Sequence, residues 1–259
     1  YQAMKTSHRL DMALTMLGYY PSREQARRAL IAGDVEINGR RDMKPGWRTS
    51  VRDTPAGTAL FHGRTQLRVA LREKCPYVSR GGVKLAAALD AFGLSPDGMV
   101  CADIGASTGG FTDCLLQRGA TRVFAIDCGH GQLHASLRSD PRVVVFEKTN
   151  ARHLTASSLD ATPDLVTVDA SFISLRSLCD AIGAIGAEGT RLIALVKPQF
   201  EVGPDATDRG VVRDPDVRRR AVDDIRDAMT TRGWRIFGET ESPITGPAGN
   251  HEFLLGAVL

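Results

Sequence analysis

Asp103-Ile104-Gly105-Ala106-Ser107-Thr108-Gly109-Gly110-Phe111 decides the fold of this 259-residue chain. A short apolar run, residues 99–102, precedes it, and a helix-like segment, 111–118, follows. A strand, a tight glycine turn and a helix start form the ligand crevice of an open α/β sheet. Glycine suits the turn because it tolerates positive φ and lets a ligand approach the backbone. The helix start adds unpaired N–H groups. The spacing is not the GxGxxG of a dinucleotide site, and no Lys-Ser/Thr follows the glycines as in a phosphate-gripping loop. A nucleoside carrying a charged amino acid, S-adenosylmethionine, fits such a turn. An ordinary tight turn with no ligand fits it equally well on this stretch alone.

Outward from the turn, the chain alternates strand and helix. The pattern predicts strands at 99–103, 123–127, 143–146, 164–169 and 192–197. Helices are predicted at 83–92, 111–118, 130–139, 175–185 and 214–232. Two last strands, 234–240 and 252–259, have no helix between them. Apolar strands alternating with helices imply a parallel sheet covered on both faces. The helix-free pair implies one antiparallel strand. Ahead of this body, Leu10, Met12, Ala13, Leu14 and Leu17 recur at helical spacing, and Ser22 with Gln25 reads as a capping box. That second helix ends near Gly33; Val35-Glu36-Ile37 alternates as a strand, and Asn38-Gly39 is a hairpin signal. Residues 40–70 read as irregular, with strand-like pieces at 59–61 and 66–69. The expected division is a small α+β unit at 7–69, a linker at 70–78 and an α/β unit at 79–259.

A hydrophobic content of 42% and a charged content of 24% are those of a soluble globular protein. No apolar run approaches the ~20 residues of a membrane helix, and no apolar signal-peptide stretch follows the first basic residues. Tyr1-Gln2-Ala3 before Met4 reads as an expression scar. The five cysteines are scattered and never form a CxxC pair, which disfavours a disulfide framework or a zinc site and favours a cytoplasmic home. No metal is expected: His130 and His134 lack a following Glu and a third ligand, and read as a surface helix pair. Residues 1–76 carry a charge balance of +7, and the remainder −4. A basic front on a mildly acidic body suggests contact with a polyanion, against the plainer reading of a solvated basic surface.

Charged residues recur where the predicted strands run out: Asp103, Asp127, Asp169 and Lys197. Ligands of open α/β sheets bind at that edge, although a lone acid there is often a helix cap. Asp127 could accept both hydroxyls of an adenosine ribose, and Asn150 could meet an adenine edge or simply cap a turn. Lys197, ending an apolar strand, must find an anion or lose its charge. Candidate neighbours are Asp169-Ala170-Ser171-Phe172, Glu252 within 249–253, and Lys84 within 79–84. The segment 202–215 reads as a substrate loop or a plain surface connection.

Arg9-Leu10-Asp11, Ser22-Arg23-Glu24-Gln25-Ala26 and residues 33–39 resemble the S4 RNA-binding domain. Tyr77-Val78-Ser79-Arg80-Gly81-Gly82, residues 103–111, Asp169-Ala170-Ser171-Phe172-Ile173-Ser174-Leu175, and residues 195–201 and 249–253 resemble the TlyA family. Those are S4-linked, FtsJ-like ribosomal RNA 2′-O-methyltransferases, often labelled hemolysin A. The resemblance covers the chain after residue 7. It implies a Rossmann-like methyltransferase with a mostly parallel seven-stranded sheet, and S-adenosylmethionine as methyl donor. It places a Lys-Asp-Lys-Glu tetrad on Lys84, Asp169, Lys197 and Glu252. Donor contacts are expected from Asp103, Gly105, Ala106, Ser107, Thr108, Gly109, Gly110, Phe111, Asp127, Asn150, Asp169 and Phe172. Ribosomal RNA contacts are expected from Arg9, Arg23, Arg27, Arg28, Arg40, Arg41, Lys44 and Arg80. Broader members of the family carry a further C-terminal helix beyond the point where this chain stops, which favours the large ribosomal subunit as partner.

Lys197 could act as a neutral base or as a charged group that orients the hydroxyl, and the sequence leaves both open. Two other readings compete: a non-catalytic ribosome assembly factor, and a membrane-active hemolysin. The acids in the predicted 214–232 helix disfavour the second on anionic lipid. Methylation of a base instead of the sugar is a third possibility, disfavoured by the two lysines.

Overall fold

A computed structural model describes residues 7–40, 42–71, 75–246 and 248–259. The chain divides into two compact units, 1–74 and 75–259.

In the first unit, β1 (His8–Arg9) leads into α1 (Leu10–Met16). Ser22 caps α2 (Arg23–Ala32) by accepting the Gln25 N–H, and Gly33 closes that helix in the left-handed conformation. β2 (Val35–Ile37) follows. The Asn38-Gly39 turn joins Ile37 to Arg40 by a single bridge. No hairpin grows from it, because β2 pairs instead with β6 (Val69–Leu71). The stretch expected to be irregular holds a meander of β3 (Arg48–Thr54), β4 (Gly57–His62) and β5 (Thr65–Leu67), with β1 on the outer edge of β3. The paired strand β6 carries this unit past residue 69, where a linker was expected to begin. Leu10, Leu14, Ala26, Leu30, Val35, Ile37 and Leu60 form its small core.

The second unit opens with α3 (Gly81–Ala91), β7 (Val100–Ile104), α4 (Gly110–Gln117) and β8 (Arg122–Ile126). Next come α5 (Ala135–Arg138), β9 (Val143–Phe146), β10 (Leu165–Val168) and α6 (Cys179–Ile185). The last elements are β11 (Arg191–Val196), α7 (Pro198–Glu201), α8 (Pro215–Thr230), β12 (Arg235–Glu241) and β13 (Phe253–Val258). The seven strands form one sheet in the order β12-β13-β11-β10-β7-β8-β9. Only β13 runs against its neighbours, so the sheet is mostly parallel, with the expected single antiparallel strand. Strand alternation sorts side chains to two faces. Ala102 and Ile104 join the core beneath α6 and α8, whereas Cys101 joins the core beneath α3 and α4. Among the described residues, no helix is long and apolar enough to cross a membrane.

Two expected helices are cut short. The 130–139 helix shrinks to α5, because the chain before it is held as a loop: Asp127 takes the Gly129 N–H and Glu147 takes the Gly131 N–H. His130 and His134 therefore do not share a helix. His130 pairs with Glu147, and His134 caps α5 by accepting the Ser136 N–H. The 175–185 helix breaks into a 3₁₀ turn, Leu175–Ser177, and α6. The 202–215 connection also carries structure, a 3₁₀ turn at Pro204–Ala206 and a bridge between Asp208 and Val211.

Candidate active site

After β7 the chain steps outward to β8 and β9, then returns to β10 on the opposite side of β7. The carboxyl ends of β7 and β10 thus diverge at the reversal of strand order, where open α/β sheets bind ligands. Gly105 sits in that gap with φ of 83°, and a Cβ on it would lie 2.4 Å from the Asp169 carbonyl oxygen. A side chain there is excluded twice, by conformation and by space. Gly110 begins α4, and a Cβ there would lie 2.2 Å from Ser79 Oγ and 2.9 Å from Gly82 N, so its bareness lets α3 and α4 meet.

Two cavities flank the turn. One, of about 340 Å³, is walled by Gly105, Ser107, Asp127, Asn150 and Phe172, with Ile104, Ile126 and Leu178 as an apolar side. Asp127 accepts the Ser107 N–H at 2.8 Å and the Gly129 N–H at 2.6 Å, so it fixes the turn as well as lining the cavity. Asn150 caps the 3₁₀ turn Ala151–His153 through the Arg152 N–H at 3.1 Å and also stands on the wall. Phe172 is 90% exposed with φ of 63°. Holding a non-glycine residue there costs about 1–3 kcal/mol and requires surrounding support.

The second cavity, of about 290 Å³, holds Lys84, Asp169, Lys197 and Glu252 on its wall together with Ala106, Gly110 and Phe111. Gly105, Ser107, Asp169 and Ser171 line both cavities and form their common boundary. The four charged side chains, remote in sequence, come together as two pairs. Lys84 is bonded to Glu252, and Lys197 Nζ lies 2.6 Å from Asp169 Oδ1 and donates to Ser171 Oγ at 2.8 Å. Lys84, Lys197 and Glu252 are 7%, 8% and 1% exposed. At such burial an unpaired charge would be prohibitive, and each amine has its own carboxylate.

Three expected donor contacts stand off both walls. Asp103 is fully buried and accepts from Thr112 Oγ1 at 2.7 Å and Thr167 Oγ1 at 3.1 Å, tying α4 to β10. Strand alternation turns it to the α4 face, where burial pushes its carboxyl up to about 7. Thr108 and Gly109 lie outside both linings, and Gly109 is packed under Leu137.

Other residues of the site were quoted in sequence stretches but not read as functional. Ser171 takes the Lys197 proton donor, and Phe200 lies against Phe172 with ring centroids 5.1 Å apart. Asn250 is 3% exposed; it donates to the Gly210 carbonyl at 2.9 Å and accepts the Val212 N–H at 3.0 Å. It thereby ties the 208–212 turn to the chain just ahead of Glu252. No sequence pattern marks such a bond, because its partners lie about forty positions away.

In the first unit, Arg9, Arg27, Arg40, Lys44 and Trp47 line an open groove of about 870 Å³. The buried carboxylate of Asp11 holds Arg9 at 2.9 Å and Arg23 at 3.4 Å. Arg27 and Arg28 share Glu24, and Arg40 pairs with Asp42. Arg80 lies on the wall of the second cavity, in the other unit. Arg41 lies outside the described residues.

Residues 77–258 match the family model for FtsJ-like methyltransferases, and residues 8–53 match the S4 domain. The chain is 44% identical to the 16S/23S rRNA (cytidine-2′-O)-methyltransferase TlyA of Mycobacterium tuberculosis, over 95% of this chain and 88% of that one. It is 36% identical to the 23S rRNA (cytidine-2′-O)-methyltransferase TlyA of Campylobacter jejuni, over 68% and 69%. A solved structure from Streptococcus thermophilus, described as a "putative hemolysin", superposes with a TM-score of 0.73 at 38% identity, covering 98% of this chain and 89% of that one. A match over most of the chain in both family model and relatives leaves one assignment: the chain belongs to the TlyA family of S4-linked, FtsJ-like methyltransferases.

Proposed function

We propose that the protein transfers a methyl group from S-adenosylmethionine to the ribose 2′-hydroxyl of a cytidine in ribosomal RNA. The observation that carries this reading is the meeting of the Lys84–Glu252 and Lys197–Asp169 pairs on the wall of the second cavity, which shares Asp169 with the first. Both named relatives act on 23S RNA, so large-subunit RNA is the acceptor to which the reading commits. The work divides between the units: the basic groove of the first docks RNA backbone, the second performs the transfer, and the site of action is the cytoplasm.

The larger apolar-sided cavity fits a nucleoside. Asp127 and Asn150 offer polar atoms on its rim, and the bare Gly105 allows close approach to the backbone. S-adenosylmethionine, when bound, supplies an electrophilic methyl group on a sulfonium. The transfer forms a bond from the ribose oxygen to carbon and breaks the carbon–sulfur bond, leaving a neutral thioether and one proton to be removed. Lys197, fixed between Asp169 and Ser171, orients the 2′-oxygen and stabilises negative charge as it grows there. The proton leaves through the Asp169–Lys197 pair to solvent. Lys84 and Glu252, bonded to each other, form a further part of the cavity wall. Bringing acceptor and donor into line is worth roughly 7–11 kcal/mol, more than proton transfer alone supplies. The target base must leave its stack to reach this edge.

Transfer of labelled methyl groups onto purified large and small ribosomal subunits, with the modified nucleotide mapped by its resistance to alkaline cleavage, tests the reading. Label on a cytidine ribose of the large subunit is the expected result. Label on a base, or tight RNA binding with no transfer, overturns it.

A further inference from the structure

One half-buried carboxylate beside the site has no part in the transfer just described. Glu201 ends α7, four residues after Lys197, and lines neither cavity. Its Oε2 accepts from Ser174 Oγ at 2.5 Å, and its Oε1 accepts the Leu175 N–H at 2.9 Å. Burial pushes its carboxyl up, and those two donors work against the shift. A carboxylate withdrawn from water costs stability unless its acceptors are satisfied, and both of its oxygens are committed to one neighbouring segment.

That segment is the one that needs support. It runs from Asp169 through Ser171 and the left-handed Phe172 to Ser174. Four ties hold it to the chain after β11: Lys197 on Asp169, Lys197 on Ser171, Phe200 on Phe172, and Glu201 on Ser174 and Leu175. Each of the first three involves at least one residue on a cavity wall, whereas Glu201, Ser174 and Leu175 line neither cavity.

We infer that Glu201 is a positioning residue whose bonds to Ser174 and Leu175 hold Ser171 and Phe172 in place on the walls of the two cavities. The inference rests on the methyl-transfer reading and extends it to a group that touches neither donor nor acceptor. Without the tie, the 169–174 segment loses the support that keeps Phe172 in its left-handed conformation. The cavity boundary then loosens while the fold of the sheet persists.

The test compares Glu201→Ala, Glu201→Gln and Ser174→Ala by three readouts: the dissociation constant of S-adenosylhomocysteine, kcat with ribosomal RNA, and the thermal midpoint. A small misplacement of reacting groups costs up to about a hundredfold, so Glu201→Ala is expected to lower kcat about tenfold and to weaken S-adenosylhomocysteine about fivefold. Glutamine keeps an oxygen for the Leu175 N–H and an amide that can donate to Ser174 Oγ, so it should restore both values to within about threefold. Ser174→Ala leaves one of the two bonds and should fall between. Wild-type kcat and affinity in folded Glu201→Ala, or a lowered midpoint with both values unchanged, overturns the inference. Should Glu201→Ala fail to fold, Ser174→Ala decides: wild-type behaviour there overturns it. The S-adenosylhomocysteine measurement needs no RNA. A wild-type protein that binds it yet methylates no RNA therefore refutes the acceptor reading while leaving the Glu201 comparison intact.

Discussion

The two units handle positive charge in opposite ways. In the second, Lys84 and Lys197 are nearly sealed from solvent, and each is matched to one carboxylate. In the first, Arg27, Arg28 and Arg40 are solvated and paired to acids that are themselves exposed, while Arg9 on the groove is solvated and held by the buried Asp11. A buried pair fixes an atom in place, because breaking it strands a charge at a cost of about 3–5 kcal/mol. An exposed pair is worth about 1 kcal/mol or less and can be exchanged for a phosphate. Geometry is thus concentrated where bonds change, and exchangeable charge where a polyanion is to be gripped.

That contrast can be broken most severely at Lys197. Lys197→Ala should reduce methyl transfer by about 10²–10⁴-fold, with RNA affinity retained, as measured by label incorporation beside filter binding. Equal losses in both would mean that the buried pairs serve binding and not chemistry. Asp103 gives the next effect. Its carboxyl is raised from the ordinary carboxylate range to about 7, so the folded state holds a proton that the unfolded chain releases. Its contribution is full below about pH 4 and is lost as pH rises through about 7, on the order of 4 kcal/mol. Asp103→Asn should flatten that part of the profile in unfolding midpoints measured from pH 4 to 8. The smallest effect belongs to the exposed side. Arg27→Ala combined with Lys44→Ala should weaken RNA binding about tenfold and reduce the slope of log affinity against log salt by about 1–2. An unchanged slope would remove the groove from the interface.

Much of the α/β body could be read from the chain because its buried strands are apolar runs and its turn is written in glycines. Asp169 and Lys197 were readable as charged ends of apolar strands, whereas their grouping with Lys84 and Glu252 came from the family resemblance. The first unit was harder. β3, Arg-Thr-Ser-Val-Arg-Asp-Thr, is polar on both faces and carries no alternation, so its strand character comes only from β1 and β4 on either side. The 130–139 stretch looked helical because nothing local reveals that Asp127 and Glu147 hold its first residues as a loop. Asp103 misled in a different manner. A strand-end acid can face a ligand or the packed side of the sheet, and only the partners Thr112 and Thr167 decide which. Glu201 and Asn250 were invisible as functional groups for the same reason, since each acts on chain that is distant in sequence.

Asp11 carries a final consequence. One carboxylate with no exposure holds two guanidinium groups, those of Arg9 and Arg23, and also accepts the Met12 N–H at the start of α1. Removing it would raise the net charge of the unit and so sharpen its long-range pull on any nucleic acid. The same change would release two arginines from a fixed splay into independent rotation. The unit would then carry more positive charge in a less fixed arrangement.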